Sequence, residues 1–176
     1  MKKYFSILLL LFAVSVSAQT FHETVKQTLI KEWVRAKAYT DEYLAAMPAD
    51  DYGKKPVDSI RSFAEQMLHL ASGNAGLIST ATGTTSVFAG RNLEKSESAK
   101  SKDSVTYLVD KSYEFAVESI KALDASKLEE VTGRGTLKET RLTWLLKAFE
   151  HQTHHRGQTT IYIRLQGIRP PNERLF

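Results

Sequence analysis

Three of the five histidines, His151, His154 and His155, lie within five consecutive residues. Residues four apart share one face of a helix, with their Cβ atoms about 6 Å apart, so the imidazoles of His151 and His155 can point at one ion. His154, three residues after His151, competes geometrically for the same role. This spacing predicts chelation of a metal ion by a pair of histidines.

The helical row that contains this pair has apolar residues at both ends. Its members follow one another at steps of three and four residues: Trp144, Ala148, His151, His155, Gln158, Tyr162 and Leu165. Such a row is typical of a helix face that is turned to the protein interior, and His154 lies on its flank. A third ligand is available at His69, because Gly73 and Gly76 on the same row leave space beside it.

Three histidines from two helices would offer three neutral nitrogens to zinc, nickel or another divalent transition ion. They would also leave coordination positions open for water or substrate, as in catalytic rather than closed structural sites. The alternative is a set of hydrogen-bonded core histidines with no ion, since a bare His-x-x-x-His pair also occurs by chance. The spacing of the histidines leaves both interpretations open.

Four amphipathic segments would have to position these residues. Their apolar residues recur at helical spacing, and they cover approximately residues 20–47, 62–79, 103–123 and 137–165. Capping signals of the form Ser/Thr-x-x-Glu start three of them, at Thr20, Ser62 and Thr136. Residues 80–102 are predicted to form a surface loop or mobile connection, and no alternating run indicates a sheet. The pattern favours an all-α four-helix bundle in one domain, residues 20–176.

Residues 1–18 have the pattern of a secretory signal peptide. Lys2 and Lys3 precede an apolar run, and small residues end the segment at Ala18. The apolar run is shorter than the roughly 18 residues that a membrane-spanning helix needs. We therefore expect cleavage after Ala18, a periplasmic or secreted protein, and no stable membrane span in the mature chain.

The composition of the 176-residue chain excludes several kinds of chemistry. Because it contains no cysteine, it has no disulfide, thiolate metal site, iron–sulfur cluster or cysteine nucleophile. Loss of Lys2 and Lys3 with the signal peptide would reduce the net charge from +4 to +2. This balance is not typical of a nucleic-acid-binding protein, so we expect an unidentified small-molecule substrate and no nucleic-acid partner.

A longer motif surrounds the histidine cluster and resembles the C-terminal signature of the DinB-like superfamily. It consists of HQTHHRGQ at residues 151–158, followed by Leu-Gln-Gly at 165–167 and the proline pair at 170–171. The sequence SFAEQMLH at residues 62–69 is similar to the second helix of that family, which carries its first metal-ligand histidine. The resemblance covers essentially the whole chain after the signal peptide.

The resemblance implies a fold, a ligand set and a range of activities. The fold is an up-down-down-up four-helix bundle, often dimeric, with a divalent metal held by the positions that correspond to His69, His151 and His155. The resemblance selects His155 rather than His154 as a metal ligand, and it does not imply DNA binding. Relatives include thiol-dependent transferases and isomerases. Because thiol cosubstrates are scarce outside the cytoplasm, a metal-dependent hydrolase is equally expected, and the alternative is a non-catalytic metal- or small-ligand-binding module.

Several residues near the histidines have predicted accessory roles. Gln158 could hydrogen-bond a substrate or a ligand histidine, or pair within the bundle. Glu65 could orient an imidazole or act as a general base, but a solvated helix charge is the preferred interpretation. Gly157 is expected to permit close helix packing, and Arg156 is expected to be solvated.

Overall fold

Four long helices account for most of the chain in the computed structural model, which describes residues 20–176 in full. They are α1, Lys2–Ala46, with side chains described from Thr20 onward; α2, Phe63–Thr82; α3, Lys102–Ala122; and α4, Arg141–Leu165. The all-α class with four helices is confirmed. The predicted signal peptide, residues 1–18, lies outside the described residues. Within residues 20–176, no helix is both long enough and apolar enough to cross a membrane.

The helices bury their apolar faces against one another. Helix α2 packs against α3 and α4, and α1 packs against the same two helices from the other side of the core. Aromatic contacts join three of the helices: the ring of Trp33 in α1 meets Tyr113 of α3 at 5.6 Å and Phe149 of α4 at 5.8 Å, both edge to face. This arrangement places one face of α2 directly beside α4.

Helix α2, which carries His69, has a fully formed capping box at its start. The hydroxyl of Ser62 accepts a hydrogen bond from the backbone N–H of Glu65, and the Glu65 carboxylate accepts one from the backbone N–H of Ser62. These bonds satisfy donors that the first helical turn leaves unpaired. The helix continues to Thr82, beyond the predicted end near residue 79, and stops at Gly83, where φ is 81°.

The predicted start of α1 is wrong, whereas its predicted end is confirmed. Thr20 lies inside the helix rather than at an N-cap, and its carbonyl accepts a hydrogen bond from the Thr24 hydroxyl one turn later. The capping motif at Thr20 therefore does not begin a helix in this structure. At the other end, α1 stops just before Pro48, as expected from the missing N–H of proline.

The connection between α2 and α3 is packed onto the bundle rather than lying free on its surface. Phe88, Leu93 and Ala99 from this connection are all buried. The prediction of a surface loop or mobile connection is therefore wrong for these residues. Isolated apolar residues have no periodic spacing, so the sequence pattern does not reveal that they anchor the segment.

A short antiparallel hairpin precedes α4, contrary to the prediction that no sheet forms. Strands β1, Val131–Arg134, and β2, Leu137–Thr140, are joined by a two-residue turn in which Gly135 has φ 62°. Thr136 lies in this turn, so it does not cap a helix; Thr140 caps α4 instead, by accepting a hydrogen bond from the backbone N–H of Thr143. The strands are short and mostly exposed, and they lack the alternating apolar residues that would have predicted them.

Candidate metal centre

The three predicted ligand histidines come together where α2 meets α4. His69 projects from α2, and His151 and His155 project from successive turns of α4. The ring centroids lie 5.2 Å apart for His69 and His151, 4.5 Å for His69 and His155, and 4.4 Å for His151 and His155. Each residue offers one ligand atom, and these atoms all lie within 4.8 Å of one another. We call these residues the three-histidine group.

The absence of a side chain at Gly73 makes room for one of these rings. Gly73 lies one turn after His69 in α2, and the imidazole of His151 occupies the space beside its backbone. A Cβ atom at residue 73 would lie 2.8 Å from Nε2 of His151 and closer still to other ring atoms. The predicted role of Gly73 in leaving space is confirmed. At Gly76 a Cβ would have its nearest neighbour at 3.5 Å, an ordinary contact.

A carboxylate and a guanidinium hold the ring of His69. Its Nδ1 lies 2.7 Å from Oε1 of Glu94, and Nε of Arg61 donates to the other carboxylate oxygen at 2.7 Å. Because an ionised carboxylate only accepts hydrogen bonds, Nδ1 of His69 carries the hydrogen and Nε2 keeps its lone pair. A carboxylate behind an imidazole is the usual arrangement around metal-ligand histidines.

Glu94 is ionised in this setting. Burial alone would raise the pKa of its carboxyl, but hydrogen bonds with Arg61 and His69 outweigh that effect and hold the pKa below its usual value. The negative charge therefore remains available to orient His69.

Two glutamines form a chain of hydrogen bonds behind His155. The Gln66 amide lies 2.9 Å from Nδ1 of His155 and also bonds the Gln158 amide, whose nitrogen lies 2.9 Å from Nε2 of His154. Nδ1 of His155 is thus engaged by the protein and Nε2 is the other ring nitrogen; Nε2 has a free lone pair for an ion when Nδ1 carries the hydrogen and donates it to the side-chain oxygen of Gln66. His154 itself is exposed and does not belong to the three-histidine group.

His151 and His155 are neutral at neutral pH. Burial, followed by the nearby His69, His154 and Arg61, lowers the pKa of His151 to about 4. Burial, together with His151 and His69, lowers the pKa of His155 to about 3. Neutral imidazoles have the free lone pair that a metal ion requires.

The donor set fits a transition metal ion. Nδ1 of His151 is buried and has no hydrogen-bond partner among residues 20–176. Buried polar atoms are usually paired, and this nitrogen, which lies beside two other imidazoles, has no protein partner and is free to take a ligand. The three-histidine group therefore suggests a metal site, and three nitrogens suit zinc, nickel or a similar divalent ion.

The contacts that Glu65, Gly157 and Gln158 make agree only in part with the roles predicted for these residues. Glu65 caps α2 and pairs with Lys100; the hydrogen bond from the Ser62 backbone is the main reason why the pKa of Glu65 falls to about 2. Neither proposed role of Glu65 at an imidazole is observed. The expectation for Gly157 is wrong, because a Cβ there would have no neighbour within 4 Å. Gln158 does contact histidine, but the one it contacts is His154.

Arg156 is buried, contrary to the prediction that it is solvated. Only 5% of the residue is exposed. Its guanidinium lies 4.5 Å from the centre of the Tyr39 ring, and Nη1 donates to the side-chain oxygen of Gln152 at 2.8 Å. The guanidinium thus ties α4 to α1 behind the histidines.

Sequence reasoning did not assign a site role to Gln66 or Glu94. Gln66 lies three residues before His69, on the same helical row, and this spacing was the one available signal. Glu94 lies 25 residues after its partner in an irregular segment, where no periodicity exists to predict a contact.

Comparison with known proteins identifies the family. The sequence profile of the DinB family matches residues 17–174. The structure is similar to a DinB-like protein from Bacillus cereus, with a TM-score of 0.72 and 18% identity over 84% of this chain and 96% of that chain. A DinB-like protein from Bacillus subtilis has a TM-score of 0.65 and 21% identity over 85% and 96%.

These comparisons carry different weight. At such identities the two crystal structures support the fold alone, and a search of the curated proteins finds no match to the sequence. The family profile, in contrast, spans nearly the whole chain, including all three members of the three-histidine group. The chain belongs to the DinB family.

Proposed function

We propose that this protein is a metal-dependent enzyme, a hydrolase or transferase, in which His69, His151 and His155 hold a divalent transition ion. The observation that carries the proposal is the convergence of three imidazoles whose ligand atoms lie within 4.8 Å of one another, and Nδ1 of His151 has no hydrogen-bond partner among residues 20–176. A divalent ion held by three neutral nitrogens keeps open positions and lowers the pKa of a bound water or substrate group.

The chain's own residues would prepare this site. Glu94 fixes the hydrogen of His69 on Nδ1, and Gln66 engages Nδ1 of His155, so both rings are oriented before an ion arrives. Burial keeps His151 and His155 unprotonated at neutral pH, so they need not release protons to bind a metal.

A non-catalytic metal- or small-ligand-binding module is the second candidate, and one observation favours it. Catalysis by general acid or base requires such a group within hydrogen-bond reach of the reacting atoms. Among the described residues, Glu94 is the one carboxylate that lines the cleft beside the histidines, and Arg61 and His69 already occupy its oxygens. An enzyme would therefore rely on the ion's own polarising effect.

We also propose the directions of the four helices and the oligomeric state of the protein. We expect up-down-down-up helix directions, as the family resemblance implies, and a homodimer. The exposed apolar side chains of Ile161 and Leu165, one turn apart on α4, are available for a partner subunit to cover. Light scattering of the purified protein will give the oligomeric state, and a monomer at all concentrations would contradict the dimer.

We further propose that the protein acts in the periplasm or outside the cell, on a small molecule and without a nucleic-acid partner. The support is the basic, apolar and small-residue pattern of residues 1–18 and the near balance of charge after them. Mass spectrometry of the exported protein should find Gln19 at its N-terminus. An intact Met1 terminus on protein that remains in the cytoplasm would contradict this location.

Elemental analysis tests the metal site directly. The mature protein, purified without a histidine tag or chelator, should contain about one divalent transition ion per chain. His155→Ala should abolish tight binding but leave the helices formed, because the aromatic and aliphatic core supplies the fold. His154→Ala is the matched control and should retain the ion, since His154 lies outside the three-histidine group.

Two results would contradict the assignment. Equal loss of metal in both variants would show that the ligand set is wrong. A wild-type protein that contains no metal and does not bind added zinc, nickel or manganese would show that the histidines form only a polar core.

A further inference from the structure

Two members of the three-histidine group line a cleft of about 400 Å³ that has two arginines in its wall. His69 and His151 line this cleft together with residues of α2, of the α2–α3 connection and of β1. Its remaining lining residues are Ser72, Gly73, Leu77, Arg91, Asn92, Glu94 and Arg134. A volume of this size lies near the lower end of ligand pockets, which span about 300–1,000 Å³, so it suits a small molecule.

The two arginines come from different parts of the chain. Arg91 lies in the connection between α2 and α3, and Arg134 ends strand β1. The guanidinium of Arg134 comes close to α2 at Gly76, where Nη1 would lie 3.5 Å from a Cβ. Neither arginine lies in a helix, so helical spacing could not predict that it reaches the cleft. The tertiary fold brings the two arginines together beside the histidines.

The cleft carries an unbalanced positive charge. In the described part of the chain, neither Arg91 nor Arg134 has a carboxylate within ion-pair distance, and the Arg91 guanidinium lies over the face of the Phe88 ring at 5.8 Å. Glu94 is already matched by Arg61, which pairs with it at 2.7 Å. A histidine side chain cannot supply negative charge to balance them, and a bound divalent ion would increase the excess.

We propose that Arg91 and Arg134 bind the anionic group of a small substrate, a carboxylate or a phosphate, in this cleft. A guanidinium presents its N–H groups in a planar fork that matches two oxygens of such a group. Asn92 and Ser72 supply further polar contacts at the wall of the cleft. The anion would be held beside His69 and His151, two of the residues proposed to hold the ion. The claim that this anion belongs to a substrate of the metal centre rests on the proposed function, whereas the claim that the cleft binds an anion does not.

Calorimetric titration with inorganic phosphate and with succinate tests the inference. The full mature protein is titrated as purified and again after chelation, at low salt, with the metal content measured on the same samples. We expect binding of at least one of the two anions, weakened about tenfold or more in Arg91→Gln and in Arg134→Gln, since charged hydrogen bonds are the strong ones. Added sodium chloride should weaken it further.

The control is Arg164→Gln, which makes the same charge change at an exposed position of α4 outside the cleft. It should bind both anions like the wild type. The inference is overturned if the double variant Arg91→Gln/Arg134→Gln binds as well as the wild type, if Arg164→Gln weakens binding equally, or if neither anion binds.

The metal measurement separates this inference from the proposed function. Arginine-dependent anion binding in protein that takes up no metal supports the anion site and contradicts the metal enzyme. Metal binding through the three-histidine group without arginine-dependent anion binding overturns the anion site and leaves the proposed metal function standing.

Discussion

Each imidazole of the three-histidine group has a different neighbour that positions it. His69 bonds an ionised carboxylate, His155 bonds a glutamine amide, and His151 fills the space beside a glycine. Hydrogen bonds and close packing both restrict ring rotation, so the rings are arranged in advance for a shared ligand. Gly73 therefore tolerates little change, because a Cβ there would overlap the imidazole of His151, which the group needs in place.

Gly73→Ala should lower metal affinity by about 10–100-fold, the usual effect of disturbing a residue next to a ligand. The added methyl group would collide with the His151 ring and push it out of position. Metal competition titrations measure the change. Gly76→Ala is the matched control on the same helix; it should keep the affinity and raise the free energy of unfolding by up to about 1 kcal/mol, because alanine favours helices.

The metal-free protein should lose stability as the pH falls from about 6.5 toward 4. His151 and His155 have folded-state pKa values of about 4 and about 3, below the ordinary value of 6.5. In this range the unfolded chain therefore takes up protons that the folded chain does not, and the free energy of unfolding decreases with decreasing pH. Thermal unfolding in the presence of chelator, at a series of pH values, measures the effect.

The comparison variant for this pH series is His151→Gln. It should show a smaller loss of stability between pH 6.5 and 5, a range chosen to lie above the ordinary carboxyl pKa of 4.5. A wild-type melting temperature that stays constant, or rises, over that interval would contradict the neutral state assigned to the two histidines.

At the scale of elements, α2 positions the site because its start is fixed. The capping box at Ser62 sets where the helix begins, and His69 lies two turns further along. Lys100 from the end of the α2–α3 connection pairs with Glu65 of the same capping box. That connection also delivers Arg91 and Glu94 to the cleft, so the helix start and the loop are joined at one end of the site.

Ser62→Ala should reduce the free energy of unfolding by about 1 kcal/mol, the usual cost of losing an N-cap hydroxyl. The reason is that the backbone N–H of Glu65 loses its acceptor. Denaturation in urea gives the value. Ser59→Ala, at an exposed position before the helix, is the control and should change stability by less than about 0.5 kcal/mol. Equal effects in the two variants would show that the cap contributes nothing.

At the scale of the whole molecule, a buried polar network joins α1, α3 and α4. The Tyr113 hydroxyl lies 2.7 Å from the Thr40 hydroxyl and donates to the Gln152 side chain at 2.8 Å. Arg156 donates to the same glutamine oxygen and packs over the ring of Tyr39. Satisfied networks of this kind favour one arrangement of helices over alternatives, because every other arrangement leaves buried groups unpaired.

Arg156→Ala should reduce the free energy of unfolding by about 2 kcal/mol or more, from the loss of charged hydrogen bonds and the contact with Tyr39. Arg164→Ala, on the same helix but exposed, should change it by less than about 0.5 kcal/mol. Chemical denaturation of both variants provides the comparison. If the two variants are equally stable, the network does not hold the bundle together.

The amino-acid sequence by itself determined the parts of this protein that depend on local spacing. Helical periodicity predicted four helices, the Ser62 motif predicted a real cap, and the four-residue step placed His151 and His155 on one face. These features follow from geometry within a few turns of a helix, where neighbours in sequence are neighbours in space. The helical row that His69 shares with Gly73 and Gly76 offered a third ligand, and the family resemblance preferred His155 to His154.

Tertiary structure decided everything that depends on contacts between distant segments. It brought Glu94 to His69, placed Arg91 and Arg134 in one cleft, and buried Arg156. Glu94, Arg91 and Arg134 have no periodic signal, since irregular segments and short exposed strands can pack in many ways. Whether a charged side chain is buried depends on the partners that other helices present to it, and those partners exist only once the bundle has formed.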